Sequence, residues 1–166
     1  CRGLAPGSTE STLGGHLTLV RGVRKPRTGF FLRAESLYNV ATEIERLGAT
    51  QFYGGRSLHE RSHGESFLDL AVHRFGPQGL YLLDEPEAAL SVRGCMALIL
   101  RIVDLVRAGS QFIVATHSPV LLAVPGAAIV QIGADGSLTR VGYDEAEPVA
   151  LTRAFLGRPD RYLGEL

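Results

Sequence analysis

This chain has little cysteine, a single lysine, no net charge and no long apolar run, and each shortage narrows what it can do. Its two cysteines, Cys1 and Cys95, are far apart and neither sits in a C-x-x-C spacing. A disulfide scaffold and a thiolate metal knuckle are both disfavoured, leaving a reduced cytoplasmic protein as the default expectation. Apolar runs stop after a few residues, far short of the roughly 20 that cross a bilayer, so no integral membrane segment is expected. Lys+Arg and Asp+Glu number 17 each, so no global field draws the chain to nucleic acid or a lipid surface. The basic cluster Arg21, Arg24, Lys25 and Arg27 has little aromatic interleaving and no base-reading motif, and reads as a solvated linker. The opening Cys1-Arg2-Gly3-Leu4-Ala5-Pro6 lacks the apolar core of a signal peptide. The one methionine is Met96, so the sequence is expected to be a fragment or a partly covered chain.

What is present is an ordinary globular composition, 45% hydrophobic and 20% charged over 166 residues, enough for one domain with a core. Residues 1–28 read as an irregular N-terminal segment, first rich in Gly, Ser and Thr and then basic. Gly29-Phe30-Phe31-Leu32 predicts a short strand. Leu37, Val40, Ala41, Ile44 and Leu47 share one stripe and predict an amphipathic helix stopped by Gly48. A loop through Gly54-Gly55-Arg56-Ser57 leads to a second helical face, Phe67, Leu68, Ala71, Val72 and Phe75, broken by Gly76-Pro77. The Leu80–Leu83 strand follows. Val92, Cys95, Met96, Ile99, Ile102, Val103 and Val106 then form a helical stripe, widened by Leu98, Leu100 and Leu105 and ended by Gly109. The Phe112–Ala115 strand begins almost at once. Strand, helix and strand with short loops predict a βαβ unit whose two strands are parallel in one sheet. Ala127–Ile132 and Ser137–Val141 flank Asp135-Gly136, a hairpin signal. Glu147–Leu156 and Arg161–Leu166 predict short terminal helices.

The chemistry concentrates where strands end. Leu80-Tyr81-Leu82-Leu83 runs into Asp84-Glu85-Pro86, which delivers two carboxylates to the carboxyl edge of the sheet, where open α/β folds bind ligands. Adjacent acids there suit metal-assisted phosphoryl transfer, one orienting the waters of Mg²⁺ and the other polarising an attacking water. A lone Asp-Glu pair is often only a solvated strand end. The next strand, however, closes on His117-Ser118-Pro119 at the matching level, and an imidazole at that edge can reach a γ-phosphate. Ser62-His63-Gly64-Glu65 opens a helix whose free N–H groups and positive dipole end suit a phosphate. The same four residues also satisfy an ordinary capping box.

In order and spacing, Ser62-His63-Gly64-Glu65-Ser66, Leu80–Pro86, Glu87-Ala88-Ala89-Leu90-Ser91 and Val114-Ala115-Thr116-His117-Ser118 resemble four motifs of ATP-binding-cassette (ABC) ATPases: the signature, the Walker B strand, the D-loop and the switch histidine. With Phe30–Ser36 and Tyr53–Ser57, the wording is most similar to small bacterial stand-alone proteins of the AAA ATPase family, cassette-like in fold and without a transmembrane partner. The resemblance covers residues 29–166. It implies an α/β, P-loop NTPase-like fold of the ABC ATPase type, a mostly parallel sheet flanked by helices and incomplete at the N-terminus. Residues 29–166 would then be the C-terminal part of an ABC-type ATPase domain. It also implies ATP and Mg²⁺ as cofactors and an ATP-dependent head-to-tail homodimer. Asp84 would hold the metal shell, Glu85 would activate water and His117 would sense the γ-phosphate. Ser62, His63, Gly64 and Glu65 would meet the nucleotide of the opposing subunit.

The departures from that pattern are specific. His63 replaces the first glycine of the usual signature, Ser91 stands where the D-loop usually has Asp, and only Glu35 offers itself as a Q-loop counterpart. No G-x-x-x-x-G-K-[ST] occurs, and Lys25, the only lysine, is followed by Pro26. The N-terminal strand and phosphate loop (Walker A) are therefore expected to be missing from these residues, which alone would not bind ATP in the usual way.

Two other readings compete. A non-catalytic regulatory or interaction subunit, lending its signature surface to an intact partner or an effector protein, also accommodates the missing loop. His59-Glu60-Arg61-Ser62-His63 is formally H-E-x-x-H, the zinc-peptidase pattern. Its neighbourhood argues against that use: Tyr53–His63 offers only Tyr53 and Leu58 for burial, and Gly64 follows the second His at once.

Overall fold

A computed structural model of the chain describes residues 25–34 and 63–164, with a few positions between 15 and 23. The helix expected over Leu37–Leu47, the Gly54–Ser57 loop, Glu35 and the H-E-x-x-H residues before His63 lie outside the described residues. Three strands, β1 (Thr28–Arg33), β2 (Gly79–Asp84) and β3 (Gln111–Ala115), form a sheet in the order β1-β2-β3, with both pairings parallel. The βαβ expectation holds. In register, Phe31, Leu82 and Ile113 lie side by side, as do Arg33, Asp84 and Ala115 at the carboxyl edge.

Side chains alternate across the sheet because successive residues of a strand point to opposite faces. On one face Leu32, Tyr81 and Leu83 are buried beneath two helices, α1 (His63–Arg74) and α2 (Val92–Arg107). Phe67, Leu70, Ala71 and Phe75 come down from α1, and Cys95, Leu98, Ile102 and Leu105 from α2. Phe75 stacks on Tyr81 with centroids 4.4 Å apart, and Phe112 lies 4.9 Å from Tyr81. On the other face Phe31 and Ile113 are exposed and Leu82 half-buried among the described residues.

The ends of α2 show how local sequence sets element boundaries. Ser91 is the N-cap, its Oγ accepting from the Gly94 N–H at 3.1 Å, an interaction worth about 1 kcal/mol. Asp and Ser cap helices equally well, so the departure at Ser91 keeps this structural role. At the other end Gly109 adopts φ 86°, and the Gly109 and Ser110 N–H groups return to Val106 O and Leu105 O at 2.9 Å each. This is a Schellman stop, which favours glycine because a residue with a Cβ is strained in the left-handed conformation. The buried line of α2 runs through Cys95, Leu98, Ile102 and Leu105, whereas Val92, Met96, Leu100 and Val106 are exposed. The expected stripe was therefore centred wrongly. An apolar residue count cannot locate the contact line when one helix carries apolar residues nearly all round.

Beyond β3, the hairpin of β4 (Ile129–Ile132) and β5 (Leu138–Val141) is antiparallel, and its turn carries Gly136 at φ 80°. Two short helices follow, α3 (Glu147–Gly157) and α4 (Pro159–Leu163), close to the expected spans. No helix of the described residues is long and apolar enough to cross a membrane.

Candidate functional site at the carboxyl edge of the sheet

β2 delivers Asp84 and Glu85 to the edge, as its sequence predicts, but the backbone changes direction between them. Asp84 is the last strand residue, with its carboxylate 29% exposed. Glu85 still joins the sheet through its N–H, which donates to Ala115 O at 2.9 Å. Its backbone is nevertheless left-handed, φ 47° and ψ 51°. Any residue other than glycine pays on the order of 1 kcal/mol there, and the following Pro86 disfavours the helical regions for Glu85 further. Non-glycine residues held in such conformations cluster at functional sites. Pro86, fully buried, then starts a tight 3₁₀ turn over Pro86–Ala89.

β3 delivers His117 to the same edge. Its Nε2 lies 3.3 Å from Glu85 Oε1, and both side chains are open to solvent, at 84% and 49%. The contact becomes an ion pair only when the imidazole is protonated. Asp84, Glu85 and His117 are thus brought together as expected. Two further groups join them that sequence reading did not assign to the site. Arg33, the register partner of Asp84 on β1, places Nε 2.9 Å from Asp84 Oδ2. Its position at the end of the Phe30–Leu32 run was visible, but its partner required the β1-β2 pairing. Glu87 lies within the 3₁₀ turn, and its Oε1 accepts from Thr116 Oγ1 at 2.6 Å, the His117 N–H at 2.6 Å and the Ser118 N–H at 3.0 Å. Cys95 lies nearby beneath this loop. Burial, and next the Glu87 carboxylate, push its thiol pKa above the usual value.

The signature residues fall differently. Ser62 lies outside the described residues, and of His63 only its place as the first residue of α1 is described. Gly64 is half-buried in the first turn of α1, and a Cβ there would come 3.1 Å from Ala89 O. This close approach to the turn after Asp84-Glu85 gives Gly64 a packing reason independent of any phosphate. Glu65 is exposed on the same turn. Among the described residues no group of three or more His, Cys, Asp or Glu is placed to hold a metal ion. Asp84 and Glu85 are still hard oxygen donors open to water, a set suited to one or two contacts with a largely hydrated Mg²⁺.

The opposite, amino-terminal edge of the sheet has a broad concavity bordered by Lys25, Gln78, Leu80, Arg107, Gln111 and Ile113. It shares no residue with the Asp84–His117 group.

Residues 50–123 match a family described as "AAA domain, putative AbiEii toxin, Type IV TA system". The match covers under half of the chain. It spans Ser62–Glu65, the whole βαβ unit and His117, and leaves out β1. The chain is thus similar, over its site-bearing part, to AAA-type ATPase domains, and the α/β architecture with a parallel sheet is consistent with a P-loop NTPase-like fold. No curated protein and no solved structure matches the chain.

Proposed function

We propose that this chain supplies the hydrolytic half of an ABC-type, Mg²⁺-dependent AAA family ATPase, cytoplasmic and dimeric. The observation that carries the reading is the meeting of Glu85 and His117 beside Asp84 at the carboxyl edge of a parallel sheet. Residues 1–28 are an irregular segment in this proposal, and 29–166 the C-terminal part of the ATPase domain. Glu85 is the group that takes a proton from the attacking water, within reach of His117, which faces the γ-phosphate. Asp84 would hold the hydrated Mg²⁺, whose charge would offset that building up on the phosphoryl oxygens. The Arg33 guanidinium shares the Asp84 carboxylate and competes with the metal for it. Ser62, His63, Gly64 and Glu65 face the nucleotide of an opposing subunit in a head-to-tail dimer, and the phosphate loop comes from outside these 166 residues.

The absence of a G-x-x-x-x-G-K-[ST] motif favours one second reading, a non-catalytic subunit that completes the site of a partner. The protein encoded by the complete reading frame separates the two. Mg²⁺-dependent ATP hydrolysis is expected, and Glu85→Gln should lower it at least about 100-fold while ATP binding persists. Full activity in Glu85→Gln would remove Glu85 as the base. ATP binding without hydrolysis by the unaltered protein would favour the regulatory reading.

A further inference from the structure

The geometry points to Glu87 as a positioning residue that couples Glu85 to His117. This inference rests on the ATPase reading above. The backbone ladder between β2 and β3 ends with the Glu85 N–H to Ala115 O bond, because the left-handed Glu85 and buried Pro86 turn the chain out of the sheet. Past that point the Glu87 side chain does what the ladder no longer can. One oxygen, Oε1, gathers the Thr116 hydroxyl and the N–H groups of His117 and Ser118 at 2.6, 2.6 and 3.0 Å. All three donors belong to the loop that carries His117, and the acceptor belongs to the turn that begins at Glu85. The Ser118 N–H also reaches Thr116 Oγ1 at 3.0 Å, which closes the loop on itself.

The arrangement is poorly optimised as a stability device. The second carboxylate oxygen, Oε2, is buried with no hydrogen-bond partner among the described residues. A carboxylate with one oxygen crowded by donors and the other bare carries an uncompensated desolvation cost. An apolar contact between turn and loop would hold the fold without that cost. The carboxylate does something an apolar contact cannot: it fixes the direction of the His117 backbone, and with it the approach of the imidazole to Glu85. His117 itself is 84% exposed, so packing does little to hold it there. The hydrogen bonds of the Glu87 carboxylate go to Thr116 Oγ1 and to the backbone of His117 and Ser118, so it acts through the loop.

Two measurements on the complete protein test this. Amide hydrogen exchange needs no catalysis. In Glu87→Ala the His117 and Ser118 amides should exchange at least about tenfold faster, while the ladder amides of Ile113 and Ala115, which face β2, stay protected; equal exchange at 117 and 118 would overturn the clamp. In steady-state kinetics, Glu87→Ala should lower kcat on the order of 10- to 100-fold, the scale of a reacting group misplaced by about 1 Å, with KM for ATP within about threefold. In a His117→Ala background the same change should add nothing, because it acts through His117. Losses that multiply, or a kcat within twofold of wild type, would overturn the coupling. Glu87→Gln keeps a carbonyl acceptor and should restore most of the lost kcat; it carries the test if the alanine variant does not fold, and a Gln variant as impaired as His117→Ala would count against the clamp. Absence of hydrolysis by the wild-type protein would overturn the ATPase reading and the coupling with it. Hydrolysis untouched by Glu87→Ala overturns the coupling alone.

Discussion

The two edges of the parallel sheet use polar groups in opposite ways. At the amino-terminal edge they are closed upon one another. The Tyr81 hydroxyl accepts from the Gly76 N–H at 2.6 Å and donates to Gly76 O at 2.8 Å, with Thr28 Oγ1 3.1 Å away. Ser110 Oγ accepts from the Gly79 N–H at 3.1 Å and donates to Gly76 O at 3.0 Å. Arg101 caps the end of α1, its Nη2 donating to Val72 O and Phe75 O, although its Nε is buried without a partner among the described residues. At the carboxyl edge, charged groups stand half-open to water: Asp84 against Arg33 and Glu85 against His117. The difference teaches where stability and chemistry reside. Satisfied, buried polar groups hold a fold together. Exposed ion pairs contribute little to stability but remain available to a ligand.

Exchanging the roles of the edges should fail in a graded way. The largest effect expected is at the open edge: His117→Ala should reduce ATP hydrolysis by about 100-fold yet leave unfolding free energy within about 0.5 kcal/mol, since the side chain packs on almost nothing. Steady-state assays beside urea melts check both halves. Next comes Gly79→Ala at the closed edge, where a Cβ would overlap the Tyr81 ring. Tyr81 is fully buried and cannot swing away, so about 2 kcal/mol of stability should be lost, with kcat of the folded protein unchanged. Ser110→Ala should cost about 1 kcal/mol, because the buried Gly79 N–H loses its acceptor. Arg33→Ala should change stability by less than about 1 kcal/mol; instead the Mg²⁺ concentration for half-maximal hydrolysis should fall, as Asp84 loses a competing cation.

The smallest effect lies in the β4-β5 turn. The Ser137 side chain and N–H donate to the Asp135 carboxylate and hold its pKa below the ordinary value. A carboxyl lowered on folding supports the turn above the ordinary carboxylate range and loses that support as pH falls through its lowered value. A carboxyl NMR titration of Asp135 should therefore have its midpoint below that of an unstructured aspartate.

Much of the βαβ unit was legible because each local signal agreed with the next. Leu80–Leu83 stops at Asp84-Glu85-Pro86, Ser91 caps α2, Gly109 stops it, and the strand to Ala115 begins at once. The hairpin and the short terminal helices followed from equally local turn and cap chemistry. The contact line of α2 was not legible, since Val92, Met96, Leu100 and Val106 are as apolar as the residues that pack. Asp84, Glu85 and His117 could be named in advance because strand ends in a parallel sheet share an edge. Arg33 and Glu87 could not, because their partners lie on other strands and loops.

By itself the sequence determined where strands and helices begin and end, and that two acids and a histidine would meet at one edge. Those features depend on dihedral preferences, caps and apolar periodicity within a few residues. Only the tertiary structure decided which face of the sheet the helices cover, that Glu85 turns left-handed as it leaves the ladder, and that Glu87 holds the His117 loop. Each depends on separate elements being brought within hydrogen-bond or van der Waals reach, across about 30 residues for Glu85 with Ala115 and for Glu87 with His117, and no local propensity encodes that meeting.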